Sequence, residues 1–260
     1  MEGLVASYEY LSTGMTGQTA TLYKLTKERS TIGDDARSSA IECYLNMCQF
    51  HYKLVECNNA DYMSPSRTSP FLVIPVDQGS LILSSFEAIS NYIETQGVGV
   101  AAGMDNIDKA DTMATSSLVN NLVIAEQYFT WVHYDTYKKD TRPAVGGDKP
   151  WPLNHIIPVM DRVKFVWNNY TLYRMDESQV ISSCRQSLSN LSVLLEDGAH
   201  SFSTSGRCPV DALVYGHVQT IRNCGICELA GMVKNYPNLL EYCDFVTQEH
   251  FNIGIVVNEQ

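Results

Sequence analysis

RTSPFLVIPVDQGSLILSSFEAISNYI, residues 67–93, reads as strand, turn, strand and helix, with a proline just ahead of the first strand. PFLVIPV and SLILSS are rich in aliphatic and β-branched residues, and Asp77-Gln78-Gly79 between them is turn chemistry. Phe86, Ile89 and Ile93 then fall on one face of a helix. Working outward, TATLYKL (19–25) and HYKLVEC (51–57) read as two earlier strands. The helix between them starts at Asp34 or Asp35 as its cap and repeats apolar residues at Ala40, Ile41, Tyr44, Leu45 and Cys48. NNADYMSPSRTS, dense in Asn, Ser and Pro, is a loop leading back to Pro70.

Strand, helix, strand, loop, strand, strand, helix over 19–97 is a thioredoxin-like order. Residues 1–18 are polar and Gly-rich and read as a loosely held segment, and 98–103 as a small-residue linker. From 104 to 260 the period is helical. Leu118, Leu122, Ala125, Phe129 and Val132 draw one apolar stripe, and Ile181, Cys184, Leu188, Leu191 and Leu195 another. Such stripes must be buried against each other or against the first domain. The expected class is α/β plus all-α, a thioredoxin-like domain followed by a helical one, which resembles the glutathione-transferase fold.

Composition narrows the partners. The formal charge is −11, which opposes nucleic acid and anionic surfaces, and the one small basic cluster, Lys138, Lys139 and Arg142, falls in a Gly- and Pro-rich loop. No apolar run reaches the roughly 18–20 residues that span a bilayer. The first residues, MEGLVASYEYLSTGMTGQ, have neither a secretory nor a transit pattern, so a cytosolic origin is expected. Eight cysteines in such a chain read as reduced and mostly buried thiols.

A working glutathione site needs three features. One is a thiol or hydroxyl at the end of the first strand; KLTKERSTIGDDARS has no cysteine there and offers only Tyr23, Ser30 and Thr31. The second is the proline, usually cis in this fold, which Pro70 supplies as a structural residue. The third is a polar Glu/Gln-Ser pair at the start of the third helix. With Ala88-Ile89 set against the usual Ala-Ile, that pair becomes Ser85-Phe86, and a phenyl ring cannot hold the γ-glutamyl end. The shape is expected to persist without the chemistry, and no cofactor or metal is expected.

Elsewhere, Cys224-Gly225-Ile226-Cys227 lacks a second pair at zinc-finger spacing and reads as loop thiols, with a redox role as the alternative. His217, on the apolar helix DALVYGHVQTI, reads as a satisfied core histidine. Pro209 suits the first helical position and Asp211 the third, whereas Cys208 at the cap is a poorer acceptor than Ser or Thr, weakening the start by up to ~1 kcal/mol.

NADYMSPS (59–66) with Pro70-Phe71, LVNN (118–121), PWPLNHI (150–156), DALVYGH (211–217) and VKNYPNLL (233–240) together resemble the metaxin family in the same order along the chain. That resemblance implies a non-enzymatic member of the glutathione-transferase-like superfamily, peripheral on the cytosolic face of the mitochondrial outer membrane. It further implies a metaxin-1-like partner carrying the membrane anchor and service to the sorting and assembly machinery for β-barrel proteins. A link to Miro GTPases and kinesin or dynein motor components is also implied. Within that reading Trp151, Pro152, Leu153, Asn154 and His155 form the candidate partner-binding surface, because a tryptophan between two prolines is a stiff, amphipathic anchor. The competing expectation has Trp151 packing the next helix with Asn154 as its cap. An enzyme using Tyr23 or Ser30 is the alternative function.

Overall fold

The computed structural model describes residues 9–11, 19–76, 79–101, 104–195, 200–203 and 206–251. Among the described residues five strands form one sheet: β1 (Glu9–Leu11), β2 (Ala20–Leu25), β3 (Tyr52–Cys57), β4 (Phe71–Val76) and β5 (Gly79–Leu83), in the order β1-β5-β4-β2-β3. β2 and β3 run parallel, as a helical crossover requires, and the remaining pairs are antiparallel. The crossover is α1 (Ile32–Met47), and α2 (Ala60–Met63) and α3 (Phe86–Thr95) complete this half. β1 corrects one expectation: part of the segment read as loosely held is an edge strand, with Tyr10 opposite Leu81 of β5. Three residues give too short a run to reveal a strand by alternation. The rest of that segment, residues 102–103 of the linker, and Asp77 and Gln78 of the hairpin turn lie outside the described residues.

The cap of α1 is also corrected. Thr31 holds the cap position and Asp34 is its third helical residue: the Thr31 hydroxyl and the Asp34 carboxylate close a capping box, with Thr31 N donating to Asp34 Oδ2 at 3.0 Å.

The second half comprises α4 (Asn106–Gln127), a π-helical turn Tyr128–Val132, α5 (Tyr134–Thr136), a second π-helical turn Tyr137–Thr141, and α6 (Arg142–Gly146). It continues with α7 (Leu153–Asn168), α8 (Tyr170–Tyr173), α9 (Glu177–Leu194), α10 (Pro209–Asn223), α11 (Cys227–Val233) and α12 (Pro237–His250). The stripe residues Leu122, Ala125, Phe129, Cys184, Leu188 and Leu191 are all fully buried. They join Leu22, Ile41, Tyr44, Leu72, Leu83, Ile89 and Ile93 in one continuous core shared by sheet and helices. At its centre α10 crosses α1 closely enough that a Cβ on Gly216 would lie 2.5 Å from Ala40 N.

Two polar contacts sit inside this packing. His217 Nδ1 is 2.8 Å from Glu126 Oε1, both buried, which ties α10 to α4. The Asp211 carboxylate, fully buried, accepts from Cys208 N, Phe202 N and Ser201 Oγ, each at 2.8 Å. Burial pushes its pKa up, and those donors oppose the shift.

Candidate functional site

Pro70 follows a cis peptide bond from Ser69, and Ser69 lines a cleft where the start of α1, the turn before β4 and helix α7 meet. The cleft encloses about 400 Å3, and its lining includes Arg29, Arg37, Asp61, Ser69, Trp131 and Asp161. Several of its polar groups are occupied by the chain itself. Ser69 Oγ accepts from Leu25 N at 3.2 Å, and Ser69 O accepts from Arg37 Nε at 3.1 Å. Arg37 Nη2 also pairs with Asp34 Oδ1 at 2.5 Å. Desolvation raises the pKa of Asp61 and Asp161, against the opposing pull of Arg29 and Lys164 respectively.

The hydroxyls near the start of α1 are engaged as well. Thr31 Oγ1 is 2.7 Å from Asp34 Oδ2, and Ser30 Oγ donates to Lys27 O at 3.2 Å. The Tyr23 ring stacks on Phe71 with centroids 5.1 Å apart. At the third position Ser85 caps α3, accepting from Ala88 N at 3.1 Å, and the half-buried Phe86 meets the edge of Tyr44 at 5.4 Å. Ser85 is therefore a helix cap and Phe86 a packing residue.

Arg29 ties the cleft to the helical half. Its buried guanidinium donates to Ala144 O at 2.7 Å and to Val145 O, and Nε to Asn58 O at 3.2 Å, while Asp148 lies 3.0 Å away. These bonds account for a third correction. The stretch containing Lys138, Lys139 and Arg142, expected as a loop, is helical from Tyr137 to Gly146. Pro143 fits the first turn of α6, and Arg29 satisfies the carbonyls at its end.

The Trp151–His155 stretch lies at the start of α7. Trp151 is 79% exposed and precedes a second cis peptide, to Pro152. Leu153 is 44% exposed, and His155 Nδ1 is 3.0 Å from Arg142 Nη2. Asn154 is not the cap: Pro152 occupies that position, and Asn154 Oδ1 is buried without a hydrogen-bond partner. Trp151 therefore does not pack the helix it precedes. Cys224 Sγ donates to Ile221 O at 3.0 Å and its pKa is raised by burial, while Cys227 is exposed; all the cysteines are free thiols.

One surface was not anticipated. α7 turns Ile156, Val159, Met160, Val163 and Trp167 outward, and Trp167 is 83% exposed. Its inner face carries Pro158, Arg162 and Phe165, with Phe165 stacked on Trp131 at 5.7 Å. Steps of three and four between the outer residues are visible in the sequence, but periodicity alone cannot say that the apolar side points to solvent.

The chain aligns with Metaxin-2 of Mus musculus at 34% identity, covering 90% of this chain and 89% of the mouse protein. It belongs to the metaxin family. Metaxin-2 of Homo sapiens aligns with the same identity and coverage. A family described as outer mitochondrial membrane transport complex protein matches residues 38–162, from within α1 into α7. The C-terminal domain family of glutathione S-transferases matches residues 184–246, from α9 into α12. In fold this metaxin resembles a glutathione transferase from Pseudomonas putida, at a TM-score of 0.59 and 12% identity over 93% of this chain and 94% of that one. Among its described residues no helix is long and apolar enough to cross a membrane.

Proposed function

We propose that the chain is a non-enzymatic subunit on the cytosolic face of the mitochondrial outer membrane. A metaxin-1-like partner holds it there, and it serves the machinery that sorts and assembles β-barrel proteins. The likeness to Metaxin-2 and the transport-complex match support the place. The observation that carries the non-enzymatic reading is at the third feature a glutathione site needs, where Ser85 Oγ is engaged as a cap and Phe86 packs against Tyr44. The hydroxyls of Thr31 and Ser30 are tied to their own turn, which supports the same reading.

Partner binding falls to Trp151, Pro152, Leu153, Asn154 and His155. A bare indole beside an exposed leucine is the kind of anchor that carries much of an interface's energy. The experiment is depletion and re-expression in cells, followed by assembly of a radiolabelled β-barrel precursor in isolated mitochondria. Depletion should slow assembly, the wild-type chain should restore it, and Trp151→Ala should co-purify less metaxin-1-like partner. Normal assembly after complete depletion would count against the reading.

A further inference from the structure

A groove of about 840 Å3 runs beside the outward face of α7, between α7–α8 and the turns around Tyr134–Arg142. Its floor and walls are Val159, Val163, Val166 and Trp167 with four tyrosines, and its only charged groups are Arg142 and Arg162. No carboxylate lines it. Among the described residues neither arginine forms an ion pair with a carboxylate, and Arg142 meets only the ring nitrogen of His155. Arg162 is fixed by donating to Trp131 O at 2.9 Å and Val132 O at 3.0 Å, with its guanidinium 4.5 Å from the Tyr137 ring centre. Tyr137 is 96% buried in this wall, yet its hydroxyl has no hydrogen-bond partner. A buried hydroxyl left without a partner is destabilising unless something outside the chain completes it.

Charge is partitioned the same way. Residues 134–174 carry seven Lys and Arg against four Asp, a net +3 in a chain whose total is −11. Along the groove the uncharged stripe Ile156, Val159, Met160, Val163 and Trp167 continues into Tyr170 and Tyr173, both about half exposed. An exposed apolar helix face with aromatic residues and nearby cations is the pattern of a helix lying in a bilayer interface.

We propose that this groove and stripe bind an anionic phospholipid at a bilayer surface. The phosphate is received by Arg142, Arg162 and the Tyr137 hydroxyl, and the acyl region lies along Val163, Trp167 and Tyr170. The choice of a lipid over an acidic protein helix rests on the tryptophan and tyrosines at the rim and on the two guanidinia without a carboxylate partner among the described residues, which match a phosphate monoanion. The proposal deepens the outer-membrane reading: it gives the chain a direct contact with the lipid beside the contact with its partner.

The test uses the full chain and liposomes of phosphatidylcholine, with and without about one-fifth phosphatidylinositol, in a flotation assay. The wild type should float with the anionic vesicles and much less with phosphatidylcholine alone. Arg142→Glu should weaken anionic binding at least fivefold, since each cation near the surface is worth about that factor. Trp167→Glu should weaken it tenfold or more. Both positions are at the surface or its edge, so melting should stay within about 2 °C of wild type; Trp167→Phe, which keeps the apolar contact, should retain binding. Excess inositol phosphate or inorganic phosphate should not displace the protein, because the acyl contact is missing. Equal flotation with both vesicles, displacement by inorganic phosphate, or no flotation would each overturn the proposal. So would concentration-dependent self-association that the same two substitutions abolish in the absence of lipid. Co-purification of a metaxin-1-like partner by Trp167→Glu separates this site from the subunit role: retained partner with lost flotation is the expected result, whereas lost partner with retained flotation overturns the lipid proposal and assigns the stripe to the partner; the subunit role fails separately, by normal precursor assembly after depletion of the chain.

Discussion

At Gly216 the two halves of the molecule touch backbone to backbone. A Cβ there would stand 2.5 Å from Ala40 N, 2.6 Å from Ala40 Cβ and 2.7 Å from Ala36 O. Two of those atoms are α1 backbone, so no rotamer change relieves the contact, and α1 and α10 must part by roughly 1 Å. Ala36, Ala40 and Ala212 along the crossing are all essentially without solvent exposure, so the gap opens inside the core. Overpacking of this kind costs about 1–3 kcal/mol, and a void of about 50 Å3 along the crossing adds about 1 kcal/mol. The better helix propensity of alanine returns about 0.5–1 kcal/mol. Gly216→Ala should therefore lose about 1–3.5 kcal/mol, or about 2–14 °C in Tm at roughly 2–4 °C per kcal/mol, measured by calorimetry or by circular dichroism at 222 nm. Gly231 in α11 is the internal control, since nothing lies within 4 Å of its would-be Cβ. Gly231→Ala should melt at or slightly above wild type. A Gly216→Ala protein as stable as wild type would refute the close crossing, and with it the placement of α10 against α1.

Three further outcomes follow from other contacts. Arg29→Met strands the carbonyls of Ala144 and Val145 and the partly exposed Asp148, and should cost about 2–3 kcal/mol with faster hydrogen exchange over α6; unchanged exchange there would contradict the bridging role. Thr31→Ala should cost about 1 kcal/mol by opening the box with Asp34, and no change in melting would return the cap to another residue. Cys184, Cys208 and Cys243, pushed by burial up to about 12 from an ordinary value near 9, should stay unlabelled by a thiol reagent in the native state while the exposed Cys227 reacts. Because their folded values are raised, the stability they contribute is full below about pH 9 and is lost as pH climbs from there towards 12. A Tm that rises over that range would contradict the assignment.

The thioredoxin-like half was legible because each signal in it is local: β-branched runs, turn chemistry and a proline in a fixed order. The stripes of α4 and α9 were legible for the same reason, since Leu122, Ala125, Phe129 and Leu188 keep helical spacing and are buried. The cap of α1 was misread because Thr31, Asp34 and Asp35 all carry acceptors, and only geometry shows which one closes the turn. The stretch 137–146 was misread as loop because part of what holds it helical comes from Arg29, more than a hundred residues earlier in the chain. The outward face of α7 was invisible for a different reason. An apolar stripe looks alike whether it faces a core or solvent, and what turns this one outward is the opposite face, where Arg162 and Phe165 hold to Trp131.

The most direct test of the account is isothermal calorimetry on the purified chain, titrated with glutathione and, in parallel, with the soluble domain of a metaxin-1-like partner. With Ser85 engaged as a cap, Phe86 packed on Tyr44 and Arg37 on Ser69 O, glutathione should give no heat of binding at millimolar concentration, while the partner domain should bind. Saturable glutathione binding at millimolar or tighter affinity, with a silent partner, would contradict the account and restore the transferase reading.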